Sequence, residues 1–503
     1  MNRISRRSLL AGLAGAPAAA PLLRPRPAAG APAATPARLN VIEIVADTWS
    51  THWMGCYGAE QIYTPNVNAL AAKSYVFDDV YAEALPTIPA RRSIYTGRRI
   101  FPGYKVSQVF DLDYRCWHPL YVEDVTMSEA IIGTGMYESC LISDNQHTFL
   151  PDKNFHRGFY GWRPIRGQEG DMWETGPRRN IKLVNYLHPS QYAEYTPAGM
   201  ARFLMMQYLT NKSYWQTDDD RPTAQVFTDA CRWLDNNTKE GTPFYLHVET
   251  FSPHEFWDPP DDFYNAYMKS AYTGPRLIFP HYVTSVLSPV EFEPARSLYS
   301  GAVTFVDYHL GRLLAKLDEL QLWDSTIVVF VADHGTMMGE QGQIHKDEGR
   351  MRTQVTKVPL MIYDPRSAGA GKRIKGFAQH TDVMPTVLDM MGIGIPSRVT
   401  GMSLAPYMQS GETIPRDMVV TGWENHGSMR TQEWLYQGRW NPGDAYEELY
   451  DLRKDPLELN NLNQQYPAMI DDYRLKLKAY MDSGWPITKG TFLQPEEDPN
   501  VPA

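Results

Sequence analysis

The chain has 503 residues, enough at roughly 100–200 residues per domain for two to four domains, or for one large domain with an appendage. Hydrophobic residues make up 43% and charged residues 21%, so a sizeable core can be buried and wholesale disorder is excluded. The net charge is −10 although the first 40 residues hold arginines (Arg3, Arg6, Arg7, Arg24, Arg26, Arg38) and no acid, so the remainder is too acidic to serve as a nucleic-acid scaffold.

In chain order, Ser5-Arg6-Arg7-Ser8-Leu9-Leu10 precedes a small-residue apolar run and then a Pro/Ala-rich stretch. Paired arginines in that setting predict a twin-arginine export signal over residues 1–38, the translocase as a transient partner, and a periplasmic or secreted product. No apolar run of eighteen or more residues follows it, so no membrane span is expected. The apolar, β-branched runs 41–46, 140–143, 244–249, 327–332 and 358–363 read as buried parallel strands. Helical patterns lie between them, at 64–72 behind a Thr-Pro start, at 300–320 and at 381–391. Alternation of this kind predicts an α/β fold, a large mostly parallel sheet sandwiched by helices. Segments 155–221 and 257–294 are rich in aromatics, Pro, Gly and Asp, and read as long excursions that shape a cleft. Short antiparallel strands near 429–431, 434–436 and 448–452, then a helix near 468–481, predict a small C-terminal α+β subdomain over 406–492. A loose tail is expected from 493 to 503. Four scattered cysteines (Cys56, Cys116, Cys140, Cys231) provide neither a disulfide framework nor a paired-cysteine zinc cluster.

Polar residues cluster at strand ends. Asp47 follows the first run, Asp144 the second and Asp333-His334 the fourth, and ligands of open α/β sheets bind beyond those carboxyl ends. Asp333-His334 supplies a carboxylate and an imidazole, a suitable pair for a hard cation. Thr87-Ile-Pro-Ala-Arg91 places a hydroxyl at a predicted helix N-terminus, where backbone N–H groups and the helix dipole favour an anionic oxygen. Bound to a divalent ion, that hydroxyl can become a nucleophile. Arg91 lies one turn on. His247, within a strand, reads as a satisfied core histidine; His380 could face the site or cap a helix; Cys56 reads as part of a packed turn.

Taken in order, Asp47-Thr48-Trp49, Gly55-Cys56-Tyr57-Gly58, Thr64-Pro65-Asn66, the Thr87–Arg91 motif, Pro253-His254, Asp333-His334-Gly335, Lys346 and the 381–386 segment resemble the sulfatase family of the alkaline phosphatase superfamily. The C-terminal Glu448-Leu449-Tyr450-Asp451-Leu452 fits as well, so the resemblance spans nearly the whole mature chain. It implies a catalytic domain over 39–405 and a single divalent ion. Asp47, Asp333 and His334 match metal-ligand positions, and Thr87 matches a nucleophile that also touches the metal. Arg91 matches the arginine that steadies the nucleophile. His254 and Lys346 match groups that hold the anion or assist the leaving group, as does His147, although Asn145 stands where the family has lysine.

Two departures bear on the chemistry. Sulfatases carry a Cys or Ser that is oxidised to formylglycine, an aldehyde that threonine cannot provide. Thr48 stands where another Asp ligand is usual. Superfamily relatives with a threonine nucleophile act mostly on phosphate esters, because water can open a phospho-threonine at phosphorus. The expectation is an exported, metal-dependent hydrolase of a phosphodiester or phosphonate monoester that is small or glycan-linked. The alternatives are a sulfatase working without formylglycine and a glycan-binding pseudoenzyme. Asp, His and Thr ligands admit Ca, Mn, Zn or Mg.

Overall fold

A computed structural model describes residues 38–103, 114–150, 153–176, 181–191, 200–367, 371–439 and 446–482. The predicted export signal and terminal tail lie outside these residues. The strands are β1 (Asn40–Ala46), β2 (Tyr75–Tyr81), β3 (Ala84–Leu85), β4 (Glu138–Ser143), β5 (Gly161–Pro164) and β6 (Phe244–Thr250). They continue as β7 (Thr326–Ala332), β8 (Met337–Met338), β9 (Ile344–His345), β10 (Lys357–Val358), β11 (Leu360–Tyr363) and β12 (Arg373–Gln379). The last four are β13 (Val419–Trp423), β14 (His426–Arg430), β15 (Trp434–Arg439) and β16 (Glu447–Asp451).

The fold is α/β, with a central nine-stranded sheet ordered β10-β2-β11-β7-β1-β6-β4-β5 and with β12 paired to β2. Strands β5, β4, β6, β1 and β7 run parallel, while β11 runs antiparallel to β7 and β2. Alternation along β1 feeds two cores: Ile42, Ile44 and Ala46 pack on one face, Val41 and Val45 on the other. Strand β7 divides likewise, with Val328 and Phe330 opposite Ile327, Val329 and Val331. Strands buried on both faces are apolar throughout, which is why their runs are recognisable in sequence.

Several elements differ from expectation. The 358–363 run is two strands, broken at Pro359, which has no N–H for a ladder. The helix expected at 300–320 begins at Pro289, behind a Ser288/Glu291 capping box. Segment 155–221 contains edge strand β5 and helix Met200–Lys212. Strand β2 carries Asp78 and Asp79 mid-strand, and each is matched by a neighbour's cation, Arg373 and Lys357.

The second sheet, ordered β16-β15-β14-β13-β3, is antiparallel except at its last pair. There β3 lies parallel to β13, with Ala84 opposite Gly422 and Leu85 opposite Trp423. The chain leaves β3 directly into helix Thr87–Thr96. Helix Pro467–Asp482 packs beside this sheet, with Ile470, Tyr473 and Leu477 in its core.

Helix Pro65–Lys73 is not capped by Thr64, whose hydroxyl accepts from the Gly55 N–H instead. The buried Asp307 carboxylate takes its free donors, Asn66 N at 3.0 Å and Val67 N at 2.8 Å. Asp307→Ala should therefore cost about 1–3 kcal/mol by stranding those donors, measured by denaturant unfolding. Divalent-ion binding should be unchanged, because Asp307 lies on another helix and touches none of the strand-end residues.

Candidate active site

Strands β1 and β7 are adjacent and in register, Ala46 opposite Ala332, so the residues that follow them emerge side by side. Asp47, Asp333 and His334 are all fully buried, and their ligand atoms lie within 4.8 Å of one another. Thr48, held at a left-handed φ of 61°, donates its N–H to Asp333 Oδ1 (2.9 Å) and its hydroxyl to Asp47 Oδ1 (2.6 Å). The residue standing at the place of a further Asp therefore supplies donors to the cluster.

Helix Thr87–Thr96 directs Arg91 into the same place. Arg91 Nη2 donates to Asp47 Oδ2 at 2.9 Å, Nη1 to Asp333 Oδ2 at 2.5 Å and to the Thr87 carbonyl at 3.0 Å, and Nε to Glu249. One guanidinium thus ties the helix tip bearing Thr87 to both strand-end carboxylates. Glu249 ends the apolar run of β6 and was not singled out from sequence. It also accepts from Asn145 Nδ2 (3.0 Å) and Ser143 Oγ (2.8 Å). Asn145, at the family's lysine position, is thereby engaged with a buried acid.

The donor set fits a divalent cation. His334 Nδ1 donates to the Gly335 carbonyl at 3.0 Å, which leaves Nε2 as a bare lone pair. That Nε2 is buried without a hydrogen-bond partner and faces Asp333 Oδ2 at 3.4 Å. A lone pair against a carboxylate oxygen is repulsive unless a cation lies between them. Burial pushes the His334 imidazole down to about 3, so it serves as a neutral ligand. With Asp47, Asp333 and Glu249 all ionised, three carboxylates against one guanidinium would leave two negative charges, which one divalent ion would balance. Burial, then the Asp333 charge, holds the Asp47 carboxyl well above its usual range. Burial also opposes ionisation of Asp333, but its neighbours His334 and Arg91 outweigh it and hold that group low.

A second group lies beside the first. His254 and Lys346, 92 residues apart in sequence, meet at 2.9 Å between Nε2 and Nζ. Burial, then the Lys346 charge, lowers the His254 pKa. Its Nδ1 donates to the Glu255 carbonyl at 2.6 Å, so Nε2 accepts from the ammonium. Glu255 gathers Lys346 (3.1 Å) and His345 (2.6 Å). His147 and His254 both pack on the Phe251 ring, with centroids at 5.9 and 4.2 Å. The Lys346 charge also acts to lower the pKa of Asp47 and of His334, so this group lies within electrostatic reach of the cluster.

Other singled-out residues have structural explanations. His247 sits between Glu43 (2.7 Å) and the Tyr95 hydroxyl (3.1 Å), a satisfied core histidine. His380 donates from Nε2 to the Ala332 carbonyl at 2.9 Å and braces the end of β7. Burial pushes the Cys56 thiol up to about 12, as expected of packing. Asp144 accepts from Phe251 N (2.5 Å) and Gln168 Nε2 (3.1 Å) and holds loops together.

An α/β sheet with two carboxylates and an imidazole gathered at its carboxyl edge, and with Arg91 tying the start of helix Thr87–Thr96 to them, fits an ester hydrolase. The chain belongs to the sulfatase family: the Sulfatase model matches residues 39–393, and the model of the C-terminal region of N-sulphoglucosamine sulphohydrolase matches 339–482. An arylsulfatase of Clostridium perfringens is 26% identical, covering 86% of this chain and 92% of its own length. The multifunctional alkaline phosphatase superfamily protein PehA of Trinickia caryophylli is 23% identical, covering 88% of this chain and 95% of its own. The structure of the phosphonate monoester hydrolase of Agrobacterium radiobacter superposes with a TM-score of 0.67 at 22% identity, over 89% of this chain and 96% of that one. Among the described residues, no helix is long and apolar enough to cross a membrane.

The cluster predicts a stability linkage. A divalent ion at one hundred times its dissociation constant should stabilise the wild type by about 2.7 kcal/mol, read from thermal unfolding with and without chelator. His334→Ala should lose most of that gain, and equal stabilisation of both proteins would place the ion elsewhere.

Proposed function

We propose that this sulfatase-family hydrolase cleaves a phosphodiester or phosphonate monoester with Thr87 as nucleophile. The observation that carries this reading is a hydroxyl unable to become an aldehyde, at a helix tip tied by Arg91 to a carboxylate–imidazole cluster. An ion held by Asp47, Asp333, His334 and the Thr87 hydroxyl would supply a Lewis acid, which lowers the hydroxyl pKa and polarises the ester.

The chain's own groups do the rest. The N-terminus of helix Thr87–Thr96 favours negative charge on the Thr87 oxygen. Arg91 spends its donors on Asp47, Asp333, Glu249 and the Thr87 carbonyl, so it fixes the nucleophile's position and does not clamp the ester. The Thr87 hydroxyl loses its proton to solvent as its oxygen attacks phosphorus, and the bond to the leaving oxygen breaks, that oxygen taking a proton from the Lys346–His254 pair. His147 and Lys346 steady the remaining phosphoryl oxygens. Water then attacks phosphorus and the bond between phosphorus and the Thr87 oxygen breaks; one water proton restores the hydroxyl and the other re-protonates the Lys346–His254 pair.

A sulfatase reading draws support from the C. perfringens relative, named an arylsulfatase. It requires a sulfated Thr87 to be opened by attack at sulfur, without the aldehyde route. The paired arginines at Arg6-Arg7 support export of the folded, metal-loaded protein.

Turnover of aryl phosphodiester, phosphonate monoester, phosphomonoester and sulfate esters with Mn²⁺, Zn²⁺, Ca²⁺ or Mg²⁺ tests the reading. Phosphodiester or phosphonate monoester should lead, and preferential sulfate turnover would overturn the proposal. Thr87→Ala should lower kcat/KM by at least about 10³-fold, and intact-mass analysis of the wild type under turnover should find phosphate on Thr87.

A further inference from the structure

The loop after β5 reaches into the site. Arg166 and Asp171 close its base with two bonds of 2.7 Å, and Asp171 Oδ2 also accepts from Gly167 N at 2.8 Å. Gln168 Nε2 pins its middle to Asp144 (3.1 Å) and to the Ser252 hydroxyl (3.2 Å), two residues before His254. At its tip Glu169 is held at a φ of 44°, a left-handed conformation that costs a residue bearing a Cβ and marks a constrained, often functional position. The Glu169 carboxylate lies 3.4 Å from His147 Nε2, accepts from Gln146 Nε2 at 2.9 Å, and keeps 16% side-chain exposure.

Burial opposes ionisation of Glu169, but the hydrogen bond of His147 and its basic neighbours His147, His254 and Lys346 outweigh it and hold the group below the usual carboxylate range. His147 therefore faces Glu169, and Lys346 faces Glu255, which it shares with His254 and His345. Little positive charge is left for a second negative charge on the substrate.

We propose that Glu169 is a charge selector, a carboxylate at the rim of the reaction centre that admits esters whose reacting group carries one negative charge and disfavours those carrying two. The proposal rests on the reading that His147, His254 and Lys346 face the reacting anion. It adds the residue that separates diesters, phosphonate monoesters and sulfate esters, all monoanions, from dianionic phosphomonoesters. The selection comes from repulsion across a water-poor rim, where charges are weakly screened.

The test compares kcat/KM for an aryl phosphomonoester with that for an aryl phosphodiester, in wild type, Glu169→Gln and Glu169→Asp with the metal loaded. At pH 8 Glu169→Gln should raise the monoester-to-diester ratio about tenfold, equivalent to ~1.4 kcal/mol, and Glu169→Asp should stay near wild type. Near pH 5 the monoester is a monoanion, its second pKa being about 6, so the gain should disappear. A ratio unchanged by Glu169→Gln at pH 8, or a gain equal at both pH values, overturns the proposal. Should Glu169→Gln fail to fold, Glu169→Ala provides the same comparison. Should the wild type prefer sulfate, the phosphoester reading fails by itself, and the ratio of phosphomonoester to aryl sulfate still decides the role of Glu169.

Discussion

Arg91 is surrounded by acids in the buried interior. Its guanidinium meets Asp47, Asp333 and Glu249, and all four side chains are completely buried. Removing one partner from such a group strands a buried charge at a cost of about 3–5 kcal/mol, so geometry and stability are enforced by the same bonds. The three acids come from the ends of β1, β7 and β6, three adjacent strands, and the arginine comes from the helix that starts at Thr87. Register in the sheet therefore decides where the hydroxyl sits. A slip of one residue in β1 would turn Asp47 away, along with every core side chain of the strand.

The same arithmetic of charge governs the two halves of the site differently. Around Asp47 and Asp333 acids outnumber the base, and the bare His334 nitrogen among them needs a cation. Around His147 and Lys346 each of these bases meets a carboxylate, Glu169 or the shared Glu255. A centre built this way concentrates its positive potential on the ion, and the outer groups orient more than they attract.

Much of this was legible in sequence because fully buried parallel strands leave unbroken apolar runs, and a charged residue directly after one is conspicuous. Asp47, Asp333 and His334 stand out that way and lie together in the structure, and the helix-start motif that singles out Thr87 brings Arg91 to the same cluster. What stayed hidden depends on distance along the chain. Glu249 ends a run that reads as core, and its partner Arg91 is 158 residues away. Glu255 follows Pro253-His254, but its association with Lys346 and His345 spans 91 and 90 residues. Strand β2 was masked by Asp78 and Asp79, whose charges are satisfied by cations on other strands. Strand β12 carries a break in register between Ile374 and Phe377, where Gly376 adopts a φ of 95° and a Cβ would meet the Ile414 carbonyl at 2.5 Å.

The two-residue strand β3 has an architectural consequence. It is borrowed from the first quarter of the chain to complete a sheet made otherwise of the last quarter, and it runs straight into helix Thr87–Thr96, which carries Arg91. The C-terminal unit is therefore a buttress and not a detachable accessory: its edge holds the entry to the helix that carries Thr87 and Arg91. Grafting that unit from a relative would disturb the Arg91 cluster even if none of the cluster's side chains were exchanged.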